Sequence, residues 1–207
     1  MILVLINIKT PVSLQIDKLT DLPKIKSLAE FEFDYQPSIN KEQIYDLNSL
    51  RFIEKQENIV FYGNSGVGKT HLATAIGVTA AQNRNSTYFI KCADLMETLH
   101  KAQLEGRLQE RLKKFTGYKL LIIDELGYLP ITRDDSKLFF QLIDRRYERN
   151  STIVTTNINF SQWDDIFGDP LIAGAIVDRL LHHATVVTIK GKSYRLQNFY
   201  RAEEESL

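Results

Sequence analysis

The sequence predicts an α/β fold: a parallel sheet of five strands with helices on both faces. Two observations carry that reading. Five short apolar runs punctuate the chain: NIVFY at 58–62, TYFIK at 87–91, KLLIID at 119–124, TIVTT at 152–156 and TVVTI at 185–189. They are rich in Val, Ile, Leu and Tyr and lack polar alternation, as strands buried on both faces do. The segments between them run from about 18 to 30 residues, crossover length for βαβ units. Together these features give helices on both sides of a parallel sheet.

Composition bounds the class. The 207 residues suit a single domain, and 43% hydrophobic with 25% charged residues excludes a disordered or fibrous chain. The 26 cations and 26 acids cancel, so any nucleic-acid contact has to come from a local stripe and not from bulk charge. Cys92 is the only cysteine, which excludes an intrachain disulfide and suits a reducing, cytoplasmic setting. The opening MILVLINI is too short to span a bilayer and reads as an edge strand or packed arm. No apolar run of about 20 residues occurs, so no membrane span is expected.

Residues 1–57 read as an N-terminal arm and linker. Pro23 and Pro37 flank the aromatic residues Phe31, Phe33 and Tyr35, and Ile44, Leu47, Leu50 and Phe52 predict a helix at about 41–56. Residues 58–207 form the α/β domain.

The first strand runs into GNSGVGKT at 63–70, a full match to G-x-x-x-x-G-K-S/T. Gly63, Gly66 and Gly68 let the backbone turn tightly and aim its N–H groups at phosphate oxygens. Asn64, Ser65 and Val67 complete the loop. Lys69 brings a positive charge for the β- and γ-phosphates, and the Thr70 hydroxyl is placed for Mg²⁺. A helix at about 69–83, with His71 in its first turn, turns its positive end toward the same phosphates. ATP and Mg²⁺ are therefore the expected ligands.

Residues 120–125 read LLIIDE, four apolar residues ending in two acids at the carboxyl end of a strand, where open α/β sheets bind ligands. Asp124 is expected to hold Mg²⁺ and Glu125 to take a proton from the attacking water. Two adjacent acids at a buried strand end call for a nearby cation.

Other polar residues leave alternatives open. Asn157, after TIVTT, either orients the same water or caps the next helix. Arg179 and Arg195 are either arginine fingers or solvated surface cations. His182 and His183 show no zinc-ligand pattern and read as helix-end or packing residues. KAQLEGRLQERLKK at 101–114 carries five cations against two acids, and Arg145, Arg146 and Arg149 form a second cluster. Each is either a DNA contact or a solvated helix face.

The blocks PKIKSLAEFEFDYQPSI (23–39), GNSGVGKTHLATAIG (63–77), LLIIDELGYLP (120–130), QLIDRRYERNSTIVTTN (141–157) and DRLLHHATVVTIKGKSYRL (178–196) together resemble the AAA+ ATPases. More narrowly they resemble the IstB-like ATP-binding proteins, helper ATPases of insertion-sequence transposition related to DnaC-type helicase loaders. The resemblance covers about residues 23–200. The phosphate loop is common to many NTPases; DELGYLP, RRYER and DRLLHH…SYR are far more specific.

The resemblance implies strand order 5-1-4-3-2, which places Asn157 between Lys69 and Glu125 as a sensor. It implies that Arg179 is an arginine finger acting on a neighbouring subunit and that Arg195 is a second sensor. It implies DNA contact through 101–114, and ATP/ADP, DNA, further copies of the chain and a transposase, or else a replicative helicase, as partners. A non-hydrolysing, ATP-gated DNA-binding scaffold is the reading from another class. Relatives usually carry a helical domain before the first block. Only 22 residues precede Pro23 here, so a bare ATPase module is expected, and the 31–52 region is expected to supply the adenine contacts in place of a lid.

Overall fold

The computed structural model describes residues 27–196. The apolar opening run at 1–8 lies outside the described residues, as do Pro11 and Pro23. The five expected strands form as β1 (Asn58–Gly63), β2 (Thr87–Lys91), β3 (Leu120–Leu126), β4 (Ser151–Thr156) and β5 (Ala184–Ile189). All pair in parallel in the order β2-β3-β4-β1-β5, the order 5-1-4-3-2 read from the other edge.

Strand residues alternate between two cores, which is why the runs lack polar alternation. Val60, Leu121, Ile123 and Val154 face one side; Ile59, Phe61, Leu120, Ile122 and Ile153 face the other. The first side is covered by α4 (Cys92–Leu104), α5 (Leu108–Gly117), α6 (Arg133–Arg146), α7 (Trp163–Phe167) and α8 (Pro170–Leu181). The second is covered by α1 (Lys41–Asn48), α2 (Arg51–Glu54) and α3 (Lys69–Gln82). α3 lies close on the sheet at Gly77, where a Cβ would stand 2.5 Å from Ile122 Cδ1.

The helix expected at 41–56 is two helices. Leu50 breaks it with a left-handed φ of 68°. The reason is geometric: at 100° per residue, Leu50 and Phe52 would point about 200° apart in one helix. The break lets Leu47, Leu50, Phe52 and Ile53 all reach the same core. The basic stretch 101–114 is likewise not one helix. It spans the end of α4, a turn at Gly106 and most of α5. Lys101, Arg107, Lys113 and Lys114 are exposed, and Arg107 pairs with Glu105 of the same turn.

Local chemistry starts the later helices. Thr132 caps α6 by accepting from Asp135 N–H, and its hydroxyl donates to the Asp135 carboxylate at 2.7 Å. Asp169 caps α8, accepting from the N–H of Leu171 and Ile172 with Pro170 at the first helical position. Arg133 of α6 donates to Asp169 at 2.9 and 3.0 Å, which ties the starts of the two helices together.

The second basic cluster loses a member to the core. Arg146 is 2% exposed. It donates to the carbonyls of Phe115 (2.8 Å) and Tyr118 (2.9 Å), to the Ser151 carbonyl and to the Thr152 hydroxyl. Burial pushes its pKa down to about 9. It fastens the α5–β3 connection to β4 and is not available to DNA. Replacing Arg146 by Ala should cost about 3–5 kcal/mol, because several carbonyls lose their donor at once. Urea unfolding of the variant against wild type measures this; a loss below about 1 kcal/mol would contradict it.

Candidate active site

The carboxyl ends of the strands converge on one cavity of about 630 Å³. Its floor is the phosphate loop, which leaves β1 at Gly63 and enters α3 at Lys69. Gly68 takes a φ of 100°, so that a Cβ there would be strained, and it would also stand 2.6 Å from the Phe31 ring. The Lys69 ammonium donates to the carbonyls of Gly63 and Asn64, both at 2.7 Å. Burial lowers its pKa, against the pull of Asp124.

Asp124 is 1% exposed at the end of β3. The Thr70 hydroxyl donates to it at 2.9 Å, and the Thr155 hydroxyl at 2.5 Å. Burial raises its pKa, and the two hydroxyl hydrogen bonds oppose that rise. A buried carboxylate held only by hydroxyls, with Thr70 beside it, fits a bound cation. Both expected metal ligands are thus brought together.

The β3–β4 register shifts between Ile123 and Leu126, so the two acids sit in a bulge. Glu125 there has φ 60°, and its N–H donates to the Thr155 hydroxyl at 3.0 Å. That strained conformation separates the neighbours' tasks: Asp124 points into the interior, and Glu125 lines the cavity. On the adjacent strand, Lys91 pairs with the Glu125 carboxylate at 3.1 Å, which raises the lysine's pKa.

Asn157 follows β4 and lines the cavity, as do Arg195, Ser65, Gly66, Val67, Gly68, Thr70 and His71. Arg195 is close enough to lower the pKa of Lys69. Arg179 does not line it. On α8 it donates to Asp144 at 2.7 Å and lies 4.8 Å over the Phe140 ring.

Part of the cavity wall is built by the arm and the tail after β5. Gln36 Nε2 donates to the Lys192 carbonyl at 2.9 Å, Tyr194 OH donates to Glu32 at 2.7 Å, and Tyr194 N–H donates to the Gly66 carbonyl at 2.9 Å. His71 meets the Ser27 carbonyl at 2.9 Å and packs edge-on against Phe31. Of the region expected to contact adenine, Phe31, Glu32 and Gln36 line the cavity; α1 and α2 do not.

Sequence reasoning missed Thr155 and Lys91. Thr155 read as one more β-branched strand residue, although a hydroxyl at a strand end opposite an acid was the available signal. Lys91 read as the polar end of a strand.

Comparison with known proteins matches most of the chain. The family model described as IstB-like ATP binding protein covers residues 12–202. An insertion sequence IS232 ATP-binding protein from Bacillus thuringiensis subsp. berliner is 62% identical over 188 residues, 91% of this chain and 75% of the relative. The IS21 counterpart from Pseudomonas aeruginosa is 45% identical over 181 residues, 87% of this chain and 68% of that protein. Among solved structures, the replication initiator DnaA bound to AMPPCP and single-stranded DNA aligns with a TM-score of 0.69 at 17% identity, covering 89% of this chain and 56% of that one. The DnaC helicase loader aligns at 0.62 and 25% identity, over 72% of this chain and 87% of that one. With nearly its whole length matched by the family model, this chain belongs to the IstB-like ATP-binding proteins.

Proposed function

We propose that the protein is an Mg²⁺-dependent ATPase whose site is completed between subunits, and that it acts on DNA with a transposase in insertion-sequence transposition. The observation that carries the hydrolytic reading is the split of the acidic pair, with Asp124 buried against Thr70 and Glu125 turned into the cavity. The transposition context rests on relatives named as insertion-sequence ATP-binding proteins at up to 62% identity. A helicase-loader role is the second reading, favoured by the fold likeness to DnaC at 25% identity. No helix among the described residues is long and apolar enough to cross a membrane.

In this reading the loop amides and Lys69 bind the phosphates. Lys69 exchanges the Gly63 and Asn64 carbonyls for phosphate oxygens. Thr70 and Asp124 hold Mg²⁺, which when bound neutralises charge on the phosphates. Glu125 accepts the proton of the attacking water once Lys91 releases its carboxylate, and Asn157 orients that water. Phe31 and Gln36 flank the base, and Arg195 approaches the phosphates from the tail. Arg179, away from its own cavity, serves a neighbour's. The exposed cations of 101–114 supply a DNA-contacting stripe, repeated around the assembly.

Phosphate release measured with and without DNA tests the hydrolytic core. Glu125→Gln should reduce turnover at least about 100-fold while ATP binding persists, whereas Lys69→Ala should lose binding itself. Wild-type turnover no greater than that of Glu125→Gln would leave only the nucleotide-gated scaffold. Co-purification with the transposase or with the replicative helicase separates the two partner readings.

Asp124→Asn tests the buried carboxylate. The raised pKa means the ionised form is disfavoured in the folded state, so this group costs stability above its folded pKa and less as pH falls through it. Without nucleotide, Asp124→Asn should therefore melt higher than wild type near neutral pH, and the gap should close on acidification. The variant should also lose any extra stabilisation that Mg²⁺ adds to ATP. A lower melting point for the variant would refute this account.

Mixing subunits tests action between copies. Arg179→Ala and Glu125→Gln proteins, each inactive, should recover activity when combined, because some interfaces pair an intact base with an intact arginine. Activity of the mixture no better than either variant alone would remove the support for Arg179.

A further inference from the structure

At the amino ends of the strands, opposite the nucleotide cavity, the fold gathers a second set of chemical groups. His182 and His183 follow α8, and the His183 carbonyl accepts from Asn58 N–H at the start of β1. Glu148 lies in the turn between α6 and β4, in a left-handed conformation with φ 53°. Its Oε1 stands 3.3 Å from His183 Nε2 and 4.0 Å from His182 Nδ1. One ligand atom from each of the three residues falls within 4.8 Å of the others. The two imidazole rings lie 3.9 Å apart, and Tyr147 OH meets His182 Nδ1 at 2.5 Å.

From this geometry we infer a transition-metal site, formed by Glu148, His182 and His183, that takes a zinc-class divalent cation. Tetrahedral N and O ligands at about 2.0–2.1 Å from zinc stand about 3.3 Å from one another. The Glu148–His183 separation already meets that spacing; the Glu148–His182 separation needs a closure of well under 1 Å, with His182 Nδ1 exchanging the Tyr147 hydroxyl for the metal. Two neutral imidazoles and one carboxylate are the donor set that suits zinc, not Mg²⁺, which prefers oxygen ligands. All three side chains are about half exposed, so an ion can enter from solvent and a water can complete the coordination. His182 and His183 are neighbours in sequence, and their third partner lies 35 residues away, so only the packing of α6 against α8 assembles the set. Bound metal would clip the α6–β4 turn to the α8–β5 turn. Arg179 and Asp144, which pair across the same two helices, lie nearby in sequence.

Isothermal titration of untagged, metal-stripped protein with Zn²⁺ tests this inference. One zinc per chain is expected, unaffected by excess Mg²⁺ and by His100→Ala; the His100 imidazole on α4 meets Asp135 of α6 at 2.8 Å instead. Glu148→Gln and His183→Ala should each weaken binding at least about tenfold. Zinc should raise the melting temperature of wild type and not of Glu148→Gln, a conservative change at an exposed position that keeps the fold. X-ray absorption should report two imidazoles in the zinc shell. No stoichiometric binding, or binding unchanged in both variants, would overturn the site and leave an ordinary His–Glu ion pair. Because none of these three readouts involves ATP, failure of the site and failure of the ATPase reading are separable.

Discussion

The carboxylate of Asp124 organises the nucleotide end of this molecule. Three separate segments meet on it: Thr70 from the first turn of α3, Thr155 from the end of β4, and β3 itself. An ionised carboxylate at 1% exposure is tolerable only with donors in place, and here both are neutral hydroxyls. The pairing of β4 with β3 serves the same constraint. β4 has to lie beside β3 for Thr155 to reach Asp124, and its hydroxyl then also accepts from the Glu125 N–H. One threonine thus fixes the backbone of the bulge that aims Glu125 elsewhere. The residual cost of burial, reflected in the raised pKa, is the feature that a bound cation would relieve.

A second constraint sets the cavity's outer wall. The arm at 27–39 and the tail at 190–196 are far apart in sequence, yet they are bonded to each other through Gln36, Tyr35 and Tyr194, and to the phosphate loop through the Gly66 carbonyl. A Cβ at Gly66 would collide with Ser193, so the tail's path depends on the loop's glycine. Arg195 is carried on this tail, and Phe31 on the arm. Any nucleotide contact at either segment would therefore be mechanically linked to the other.

Much of this was legible in the sequence because each signal was local. The five strands depend on runs of residues buried on both faces, and the phosphate loop and acidic pair are contiguous motifs. What was hidden depends on register. Leu50 looked helical by spacing, and only the demand that Leu50 and Phe52 share a core breaks the helix. Arg146 looked like a surface cation until the α5–β3 connection and β4 placed carbonyls around it. Thr155 and Lys91 gain meaning only when β3 lies between their strands. Glu148 could not be linked to His182 and His183 without the α6–α8 packing. Composition gave no warning of any of these, since each uses a common residue type in an uncommon place.

The pairing of Lys91 with Glu125 shows how the sheet limits the chemistry. In the β2–β3 register Lys91 lies opposite Asp124, yet its ammonium reaches Glu125, because the bulge has turned that neighbour outward. An ammonium at 3.1 Å competes with any other partner for the Glu125 carboxylate. At 41% exposure the Glu125 side chain is wet, and the pair is correspondingly weak. Closure that excluded water would strengthen the same ion pair and hold the carboxylate toward β2, unless Lys91 were drawn away first. A subunit seated over the mouth would add charge as well as exclude water, and an incoming arginine would compete for the same carboxylates. In the proposed hydrolysis, the readiness of Glu125 therefore depends on which cations surround it, Lys91 first among them.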